Sequence, residues 1–289
     1  MIKIKELKEK SLQLGIPIET VDKDWVLGHL LNGIYLNNFL KRALIFKGGT
    51  CLKKLYFPDF RFSEDLDFSA VKEIGRDKIK TELSLIHYVI YQNVGIAFGS
   101  IQDKDVFSND ELMAYEFKIP FWGANHPKQK SVPSERWLTS IKIDLSLKEK
   151  ILMQPVLKNI YHQYSDKNEI NAEVTAYCLD EIYSEKLRSV LQRFNFPRDY
   201  YDLWYMSRYC SKKIYWEKIP KIFKEKCRLK SIDFKNVNDF FNEKALYEVE
   251  KAWMPSMGNH LKKEQVPDFK SAAIELKEKL RELFDERVF

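Results

Sequence analysis

The spacing of apolar residues changes roughly 170 residues into this 289-residue chain, and this change constrains its fold more than any other feature. In the segment "SIKIDLSL", residues 140–147, apolar side chains take every second position, which is the period of a strand with one buried face. Beyond residue 170, apolar residues recur with the 3.6-residue period of helices. We therefore predict an α/β (α+β) core with a mixed sheet and helices over residues 1–170, and a helical C-terminal domain over residues 171–289.

The same patterns assign the individual elements. In the first part they predict strands at 43–46, 64–70, 112–122 and 137–147, and helices at 25–42, 50–56 and 78–93. In the second part they predict helices at 179–194, 198–210, 216–227 and 269–284. The polar segment "YHQYSDKNEINAE" marks the boundary between the two parts.

Composition favours a globular protein that is not in a membrane. Hydrophobic residues make up 45% of the chain and charged residues 31%, as in ordinary soluble domains. No run of 18 or more apolar residues is present, and lysines alternate with apolar residues at the N-terminus, so we expect neither a membrane span nor a signal peptide. The cysteines are far apart in the sequence, which is typical of reduced thiols. We expect a cytoplasmic protein with no membrane partner.

Positive charge is concentrated in one stretch. Residues 211–230, "SKKIYWEKIPKIFKEKCRLK", contain eight Lys or Arg against two Glu, whereas the whole chain has a net charge of +6. Such a run forms either the solvated face of a helix or a contact surface for a polyanion such as nucleic acid. The sequence leaves both interpretations open.

Two adjacent glycines, Gly48 and Gly49, separate a predicted strand from a predicted helix. Without Cβ atoms at these positions, a phosphate group can approach the N–H groups at the helix start. Thr50, which follows, either caps the helix or binds a phosphate oxygen. Lys47, which precedes the pair, fits either role as well. A Gly-Gly turn before a helix is most often structural, so this motif alone does not establish a phosphate site.

Three aspartates on predicted strands extend the motif. Asp65 and Asp67 stand two apart on one strand, so both carboxylates point to the same face while the residues between and after them turn to the core. Asp144 takes a polar position on a later strand. Each acid alone is typical of a solvated strand face. Together with the glycine turn they form the set that metal-assisted phosphoryl chemistry requires, because Mg²⁺ or Mn²⁺ offsets the repulsion between clustered carboxylates.

These motifs resemble a known family. The stretch "FKGGTCLKKLY…RFSEDLDFS" resembles the nucleotidyltransferase toxins of the AbiEii/AbiGii type, related to the MenT toxins, in which a Gly-Gly-Ser/Thr turn precedes Asp-x-Asp. A second stretch, "EIYSEKLRSVLQRFNFPRDYYDLWYM", is similar to the family's helical lysine motif followed by Arg-Asp-x-Tyr-Asp-Leu. Residues 85–135 and those beyond 215 show no such match. The resemblance implies a nucleotidyltransferase-fold core with a helical C-terminal part.

The second stretch also has a physical interpretation of its own. On the predicted helix 179–194, Lys186 falls within the apolar stripe, where it must either extend its amine to solvent or meet an acid or a phosphate. On the next helix, Arg198 stands four residues before Asp202 and one before Asp199, so these three can form an ion-paired patch. The resemblance implies that one of the two acids is needed for activity. Asp202 is our first choice, and Asp199 remains the alternative.

The resemblance implies a role for each candidate residue. Metal ligands are Asp65, Asp67 and Asp144, and the catalytic set adds Lys186 and Asp202. Nucleotide-binding residues are Lys47, Gly48, Gly49, Thr50, Ser63, Lys186 and Arg198. Ser63, together with Arg61, either contacts phosphate or caps the strand.

The implied function is that of a toxin of a bacterial toxin–antitoxin or abortive-infection system. It would transfer NMP from an NTP to a hydroxyl of RNA, with the 3′ end of tRNA as the best-supported acceptor, and a separate antitoxin protein as partner. Three alternatives stay open at this point: transfer to a protein hydroxyl, metal-dependent RNA cleavage, and non-catalytic nucleotide sensing. Transfer to protein needs no basic surface for RNA, and cleavage needs no triphosphate site.

Overall fold

Strands and helices occupy different parts of the chain in the computed structural model, which describes residues 1–126, 133–193 and 195–284. Two units are distinguished by their internal contacts. The first consists of Met1–Glu149 and Pro155–Ala176, and the second of Lys150–Gln154 and Tyr177–Phe289. The first unit contains the sheet and the second is helical, so the mixed α/β fold class predicted from the sequence is confirmed.

The described residues of the first unit form an eight-stranded mixed sheet. Its strands are β1 (Leu44–Lys47), β2 (Asp65–Ala70), β3 (Ala97–Phe98), β4 (Gln102–Ser108), β5 (Glu111–Trp122), β6 (Ser140–Ser146), β7 (Val156–Asn159) and β8 (Glu173–Ala176). Their order is β3-β5-β6-β2-β1-β8-β7, with β4 paired to β5. β2 runs parallel to β6 and antiparallel to β1, while β1 runs parallel to β8.

The strand region extends beyond residue 170, where the sequence pattern predicted its end. β8, at Glu173–Ala176, pairs with both β1 and β7 and therefore belongs to the sheet. It is only four residues long, with Val174 and Ala176 buried, and two apolar positions are too few to produce a recognisable period. β4 and β7 were missed for a similar reason, since neither contains a buried apolar residue.

Four helices precede or connect the strands. They are α1 (Ile4–Leu14), α2 (Ile18–Leu36), α3 (Gly48–Cys51), which continues as a π-helical turn at Leu52–Tyr56, and α4 (Arg76–Val94). α2 was predicted at 25–42 and lies earlier. It is buried around most of its surface, including Asp22 and Asp24, so its first turns show no one-sided apolar stripe. It ends before Asn37. The Asn37 Oδ1 atom accepts hydrogen bonds from the backbone N–H groups of Phe39 and Leu40.

The second unit is helical throughout its described elements. These are α5 (Leu179–Gln192), α6 (Pro197–Tyr209), α7 (Ile219–Leu229), α8 (Glu243–Met257) and α9 (Phe269–Phe284). α8 was not predicted, and it contains Pro255 near its end. Phe194, which the sequence analysis placed at the end of the first of these helices, lies outside the described residues. Among the described residues, no helix is both long and apolar enough to cross a membrane.

A buried polar cluster ties the π-helical turn to α2. Lys54 Nζ lies 2.8 Å from Asp24 Oδ2, and the Tyr164 hydroxyl donates to the same oxygen at 2.9 Å. Burial opposes ionisation of Asp24, yet Lys54 and Lys53 beside it lower its pKa. Since Lys54, Asp24 and Tyr164 are all buried and bond to one another, they hold the helix that follows the glycine pair against α2.

Next to this cluster, Asp166 accepts hydrogen bonds from three rings. Trp25 Nε1 lies 2.9 Å from it, His29 Nε2 3.0 Å and His162 Nε2 3.1 Å. The two histidines and Asp166 are close enough together to hold a metal ion. However, if His162 Nε2 bound a metal, its Nδ1 would carry the proton, and that buried atom has no acceptor among the described residues. We therefore interpret the group as a hydrogen-bonded part of the core.

One core histidine predicts a pH dependence of stability. His87 stacks on Phe98 with ring centroids 4.2 Å apart, and burial lowers its pKa from 6.5 to about 3. Below pH 6.5 the unfolded chain takes up a proton that the folded protein binds only near pH 3, so stability falls as the pH decreases. Between pH 7.5 and 5, the wild type should lose about 2 kcal/mol more of its unfolding free energy than His87→Phe does. Urea unfolding at the two pH values measures this, and equal losses would contradict it.

Candidate active site

The parallel pairing of β2 and β6 brings the three predicted acids together. In this register Asp67 is the direct partner of Asp144, and Asp65 lies two residues before Asp67 on the same face. Leu66 and Phe68, on the opposite face, are fully buried. Neighbouring strands are about 4.8 Å apart, so the three carboxylates share one small area of the sheet surface.

The charges around Asp144 favour a cation at this place. Burial raises the pKa of the Asp144 carboxyl, and the nearby charges of Glu116 and Asp65 raise it further, against the opposing effect of Lys142. Lys142 Nζ lies 2.9 Å from Asp144 Oδ1. Clustered carboxylate oxygens of this kind are the ligands that Mg²⁺ and Mn²⁺ prefer. The residues therefore fit a divalent metal.

The glycine pair packs directly against the acids. Gly48 has a φ of 81°, in the left-handed region, and a side-chain carbon added to it would overlap the Asp67 carboxylate. A carbon added to Gly49 would lie 2.9 Å from Arg61 Nη2 and 3.1 Å from Ser63 Oγ. Gly48 therefore requires glycine for both space and conformation, whereas a side chain at Gly49 would have to displace the end of the Arg61 side chain. Ser63 and Arg61 thus lie beside the turn, where the sequence analysis proposed a phosphate contact.

Thr50 and Lys47 face partners within the site. Thr50 is 1% exposed, and its hydroxyl donates to the Asp65 carbonyl oxygen at 2.5 Å. This hydrogen bond holds the helix start against β2, so the Thr50 side chain has a positioning role in this structure. Lys47, which is also buried, is the cross-strand partner of Asp67, and its Nζ donates to Ser146 Oγ at 3.3 Å. Both side chains connect the glycine turn to the strands that carry the acids.

A fourth acid, Glu116, was missed by sequence reasoning. It lies on β5 directly opposite Asp144, with Lys104 Nζ at 3.0 Å and Lys142 Nζ at 3.3 Å. Burial opposes its ionisation, but these two lysines lower its pKa. The alternation in "LMAYEFKIPFW" assigns Glu116 to a polar face. The pairing of β5 with β6, which brings it to Asp144, is not readable from that pattern.

In the second unit, Lys186 joins the two candidate acids of α6. Its Nζ lies 2.7 Å from Asp199 Oδ1 and 2.6 Å from Asp202 Oδ2. Both acids are buried, and Arg193 Nη2 lies 3.3 Å from Asp199 Oδ2. Helical spacing predicted an ion-paired patch of Arg198, Asp199 and Asp202, and in the structure Lys186 is the cation that contacts both acids. Arg198 is half-buried next to them.

The basic stretch 211–230 does not present all of its charges to solvent. Lys226 is buried, with its Nζ 2.6 Å from Glu181 and 3.4 Å from Glu185. It therefore stabilises the contact between α5 and α7. Lys221, Lys224 and Arg228 are exposed on α7, so part of the stretch still forms a basic surface.

The candidate residues are divided between the two units. Those of the first unit are Lys47, Gly48, Gly49, Thr50, Ser63, Asp65, Asp67 and Asp144, and those of the second are Lys186, Arg198 and Asp202. Within each unit the structure brings the predicted residues close to one another.

Comparison with known proteins identifies similar sequences and folds. A family model described as "Nucleotidyl transferase AbiEii toxin, Type IV TA system" matches residues 29–275. The structure of MenT4, a nucleotidyltransferase toxin from Mycobacterium tuberculosis, is similar with a TM-score of 0.69 and 18% identity, over 99% of this chain and 90% of that one. A candidate nucleotidyltransferase from H. pylori is similar with a TM-score of 0.52 and 15% identity, over 93% of this chain and 97% of that one. A search of curated proteins gave no match. The family resemblance noted in the sequence is confirmed.

The glycine turn predicts a contrast between two alanine variants. Gly48→Ala should lower the free energy of unfolding by about 2 kcal/mol or more, because of its positive φ and the overlap with Asp67. Gly75→Ala is the matched control, since a carbon there would meet no described heavy atom within 4 Å, and its effect should stay within about 0.5 kcal/mol. Urea unfolding compares the two. Equal effects would mean that the turn relaxes without cost.

The ion-paired cluster of the second unit predicts that Lys186→Ala is destabilising. Asp202 would lose its contact with the amine while remaining buried, which should lower the free energy of unfolding by about 3 kcal/mol. Adding Asp202→Asn should recover part of this loss, because the buried charge is then removed. Urea unfolding of Lys186→Ala, Asp202→Asn and the double variant gives the free energies of unfolding for a double-mutant cycle. A double variant less stable than Lys186→Ala alone would contradict the charge argument.

Proposed function

Because the chain belongs to the AbiEii nucleotidyl transferase toxin family, and is therefore a nucleotidyltransferase, we propose that it transfers NMP from an NTP to an RNA hydroxyl, with Mg²⁺ or Mn²⁺ bound. In this proposal the first unit, with the sheet, is the nucleotidyltransferase core and the second is a helical domain. The acceptor we propose is the 3′ end of tRNA.

The observation that carries this proposal is the register between β2 and β6. It gives three carboxylates on one face, and the glycine turn contacts one of them directly. A solvated strand face would need neither the alignment of Asp67 with Asp144 nor a left-handed Gly48 against Asp67. Metal ligands beside a glycine turn at a helix start are what transfer of a nucleotidyl group requires.

In the proposed reaction, the first unit holds the NTP. Asp65, Asp67 and Asp144 would hold the divalent ions, which supply positive charge to the phosphates and lower the pKa of the attacking hydroxyl. The N–H groups of Gly48, Gly49 and Thr50 would bind the β- and γ-phosphates at the helix start. Lys47, Arg61 and Ser63 surround this turn and would add positive charge and a hydroxyl donor.

The bond changes follow from this arrangement. The acceptor oxygen attacks the α-phosphorus and forms a new P–O bond, while the bond between the α-phosphorus and the bridging oxygen to the β-phosphate breaks. Pyrophosphate leaves with the bonding electrons. The proton of the acceptor hydroxyl passes to Asp144 or to solvent.

We assign the second-unit cluster to the same reaction. Lys186 would offset charge that develops on the leaving phosphates, with Asp202 and Asp199 holding its amine in position. Arg198 would contribute a further phosphate contact. The exposed basic residues of α7 would follow the RNA backbone. As a toxin, the protein would act in the cytoplasm, where NTPs and tRNA are present, and a cognate antitoxin protein would be its partner.

Removal of one metal ligand provides the central test. Asp67→Asn should abolish transfer while changing the unfolding free energy by less than about 1 kcal/mol, because losing one of several clustered carboxylates relieves repulsion. The control is Asp77→Asn, an acid of α4 with a 92% exposed side chain, which should leave transfer unchanged. Purified proteins are incubated with each α-³²P-labelled NTP, Mg²⁺ and total RNA, and analysed on a denaturing gel.

The position of the label decides between the functions. Label in a tRNA-sized band with the wild type and Asp77→Asn, but not with Asp67→Asn, is the expected result. Label on protein would indicate that the acceptor is a protein hydroxyl and not RNA. RNA shortened without NTP would indicate a nuclease, and an unlabelled, intact RNA with measurable NTP binding would indicate a nucleotide sensor.

A further inference from the structure

The order of the strands indicates from which side an acceptor would approach the candidate site. The glycine turn follows β1, two acids lie on β2, and Asp144 lies on β6, with β5 and β4 continuing the sheet on that side. In an in-line displacement the attacking and leaving oxygens lie on opposite sides of the phosphorus. If pyrophosphate leaves at the glycine turn, the acceptor hydroxyl must come from the side of β6, β5 and β4.

A cavity of about 500 Å³ lies on that side of the first unit. Asp65 and Glu116 form part of its wall, so the cavity reaches the acid-bearing face of the sheet at Asp65. Four lysines from four different elements line it. They are Lys23 of α2, Lys104 of β4, Lys118 of β5 and Lys142 of β6.

Two of these lysines are placed unfavourably for stability alone. Lys118 and Lys142 are direct cross-strand partners in the antiparallel pair β5–β6, so their side chains extend from the same face. Like charges in such a position destabilise a sheet unless an anion lies between or above them. Lys142 is held by Asp144 and Glu116, whereas Lys118 is exposed to solvent. The pair therefore favours an anionic ligand.

The acids of the cavity wall do not cancel this charge. Asp103 bonds to Arg76 at 3.0 Å and to Lys80 at 2.5 Å, and neither of these α4 residues lines the cavity. Asp65 would be occupied by metal in the working enzyme. Glu116 remains as the partner of Lys104. Once metal is bound, the cavity holds more positive than negative charge.

We infer that this cavity binds the phosphate backbone of a single-stranded RNA acceptor, with Lys118 and Lys104 as phosphate contacts. Lys142 exchanges its partner, bonding Asp144 before metal binds and an acceptor phosphate afterwards. This inference rests on the proposed function, since it assigns the acceptor of that reaction to a surface. It places the acceptor in the first unit, in addition to any contact made by the basic face of α7.

The chemistry of the cavity favours nucleic acid over protein as acceptor. A nucleic acid carries a phosphate within one nucleotide of its terminal hydroxyl, so lysines next to the attacking position have an anion to bind. A serine or tyrosine hydroxyl of a protein has no such neighbour. Four lysines beside the carboxylates would only add desolvation cost for that acceptor.

RNA binding without NTP tests the cavity separately from catalysis. Fluorescence anisotropy with a labelled single-stranded RNA, at several salt concentrations and with Mg²⁺, gives the dissociation constant and its salt dependence. Lys118→Ala should weaken binding about threefold to tenfold and reduce the slope of log K against log salt by about 0.7, the value for one lost phosphate contact on a single strand. Lys167→Ala, an exposed lysine of the first unit that does not line the cavity, is the matched control and should bind as the wild type does.

The exchange of Lys142 has its own test. At constant ionic strength, Mg²⁺ should tighten RNA binding by the wild type severalfold, and Lys142→Gln should lose most of this gain. Mg²⁺ also changes the RNA itself, but this effect is the same for both proteins, so the difference between their gains in affinity reports on Lys142. An equal gain in both proteins would overturn the exchange.

The outcomes separate this inference from the proposed function. If the wild type labels RNA but Lys118→Ala and Lys104→Ala bind it as tightly as Lys167→Ala, the cavity is not the acceptor site and the proposed transfer stands. If the wild type neither binds nor labels RNA and labels protein instead, both the RNA acceptor and this inference are wrong. Weaker binding of the cavity variants, with transfer to RNA by the wild type, supports both.

Discussion

The hydrogen-bond register between β2 and β6 is the constraint on which the candidate site depends. It sets Asp67 opposite Asp144 and Asp65 opposite Lys142, so that acids and their nearest cation alternate on one surface. Because side chains alternate along a strand, a shift of one residue in either strand would turn its acids into the core and its apolar residues to solvent. The burial of Leu66, Phe68 and Ile143 on the other face therefore fixes the positions of the candidate acids as well as the fold.

Much of this arrangement follows from local sequence, and the remainder depends on contacts between distant residues. The alternation in β2 and β6 predicts which face each acid takes, and the glycine pair predicts a turn at Gly48. By contrast, the role of Glu116 depends on β5 pairing with β6. Lys186 between Asp199 and Asp202 is a similar case: helical spacing placed it on the apolar face, but only the packing of α5 on α6 shows that it meets both acids. β8 was missed because four residues carry too little periodicity.

Buried polar groups hold the helix that follows the glycine turn in position. Lys54 and Asp24 hold the π-helical turn against α2, and Asp166, in the segment after β7, is bonded to Trp25 and His29 of α2. These contacts lie behind the glycine turn and have no direct part in binding a ligand. They restrict the movement of the helix start, so its N–H groups would already be oriented for the proposed phosphate, which would reduce the entropy lost on binding.

The hydrogen bond from Thr50 to the Asp65 carbonyl gives the site a thermodynamic property beyond geometry. One end of this bond belongs to the turn that would receive the phosphates, and the other to the strand segment that would hold the metal. A ligand that reduces the motion of the turn would therefore also reduce the motion of the strand segment, and the reverse also holds. Binding of metal and of nucleotide should be mutually reinforcing, each raising the affinity for the other by the same factor, as linkage requires.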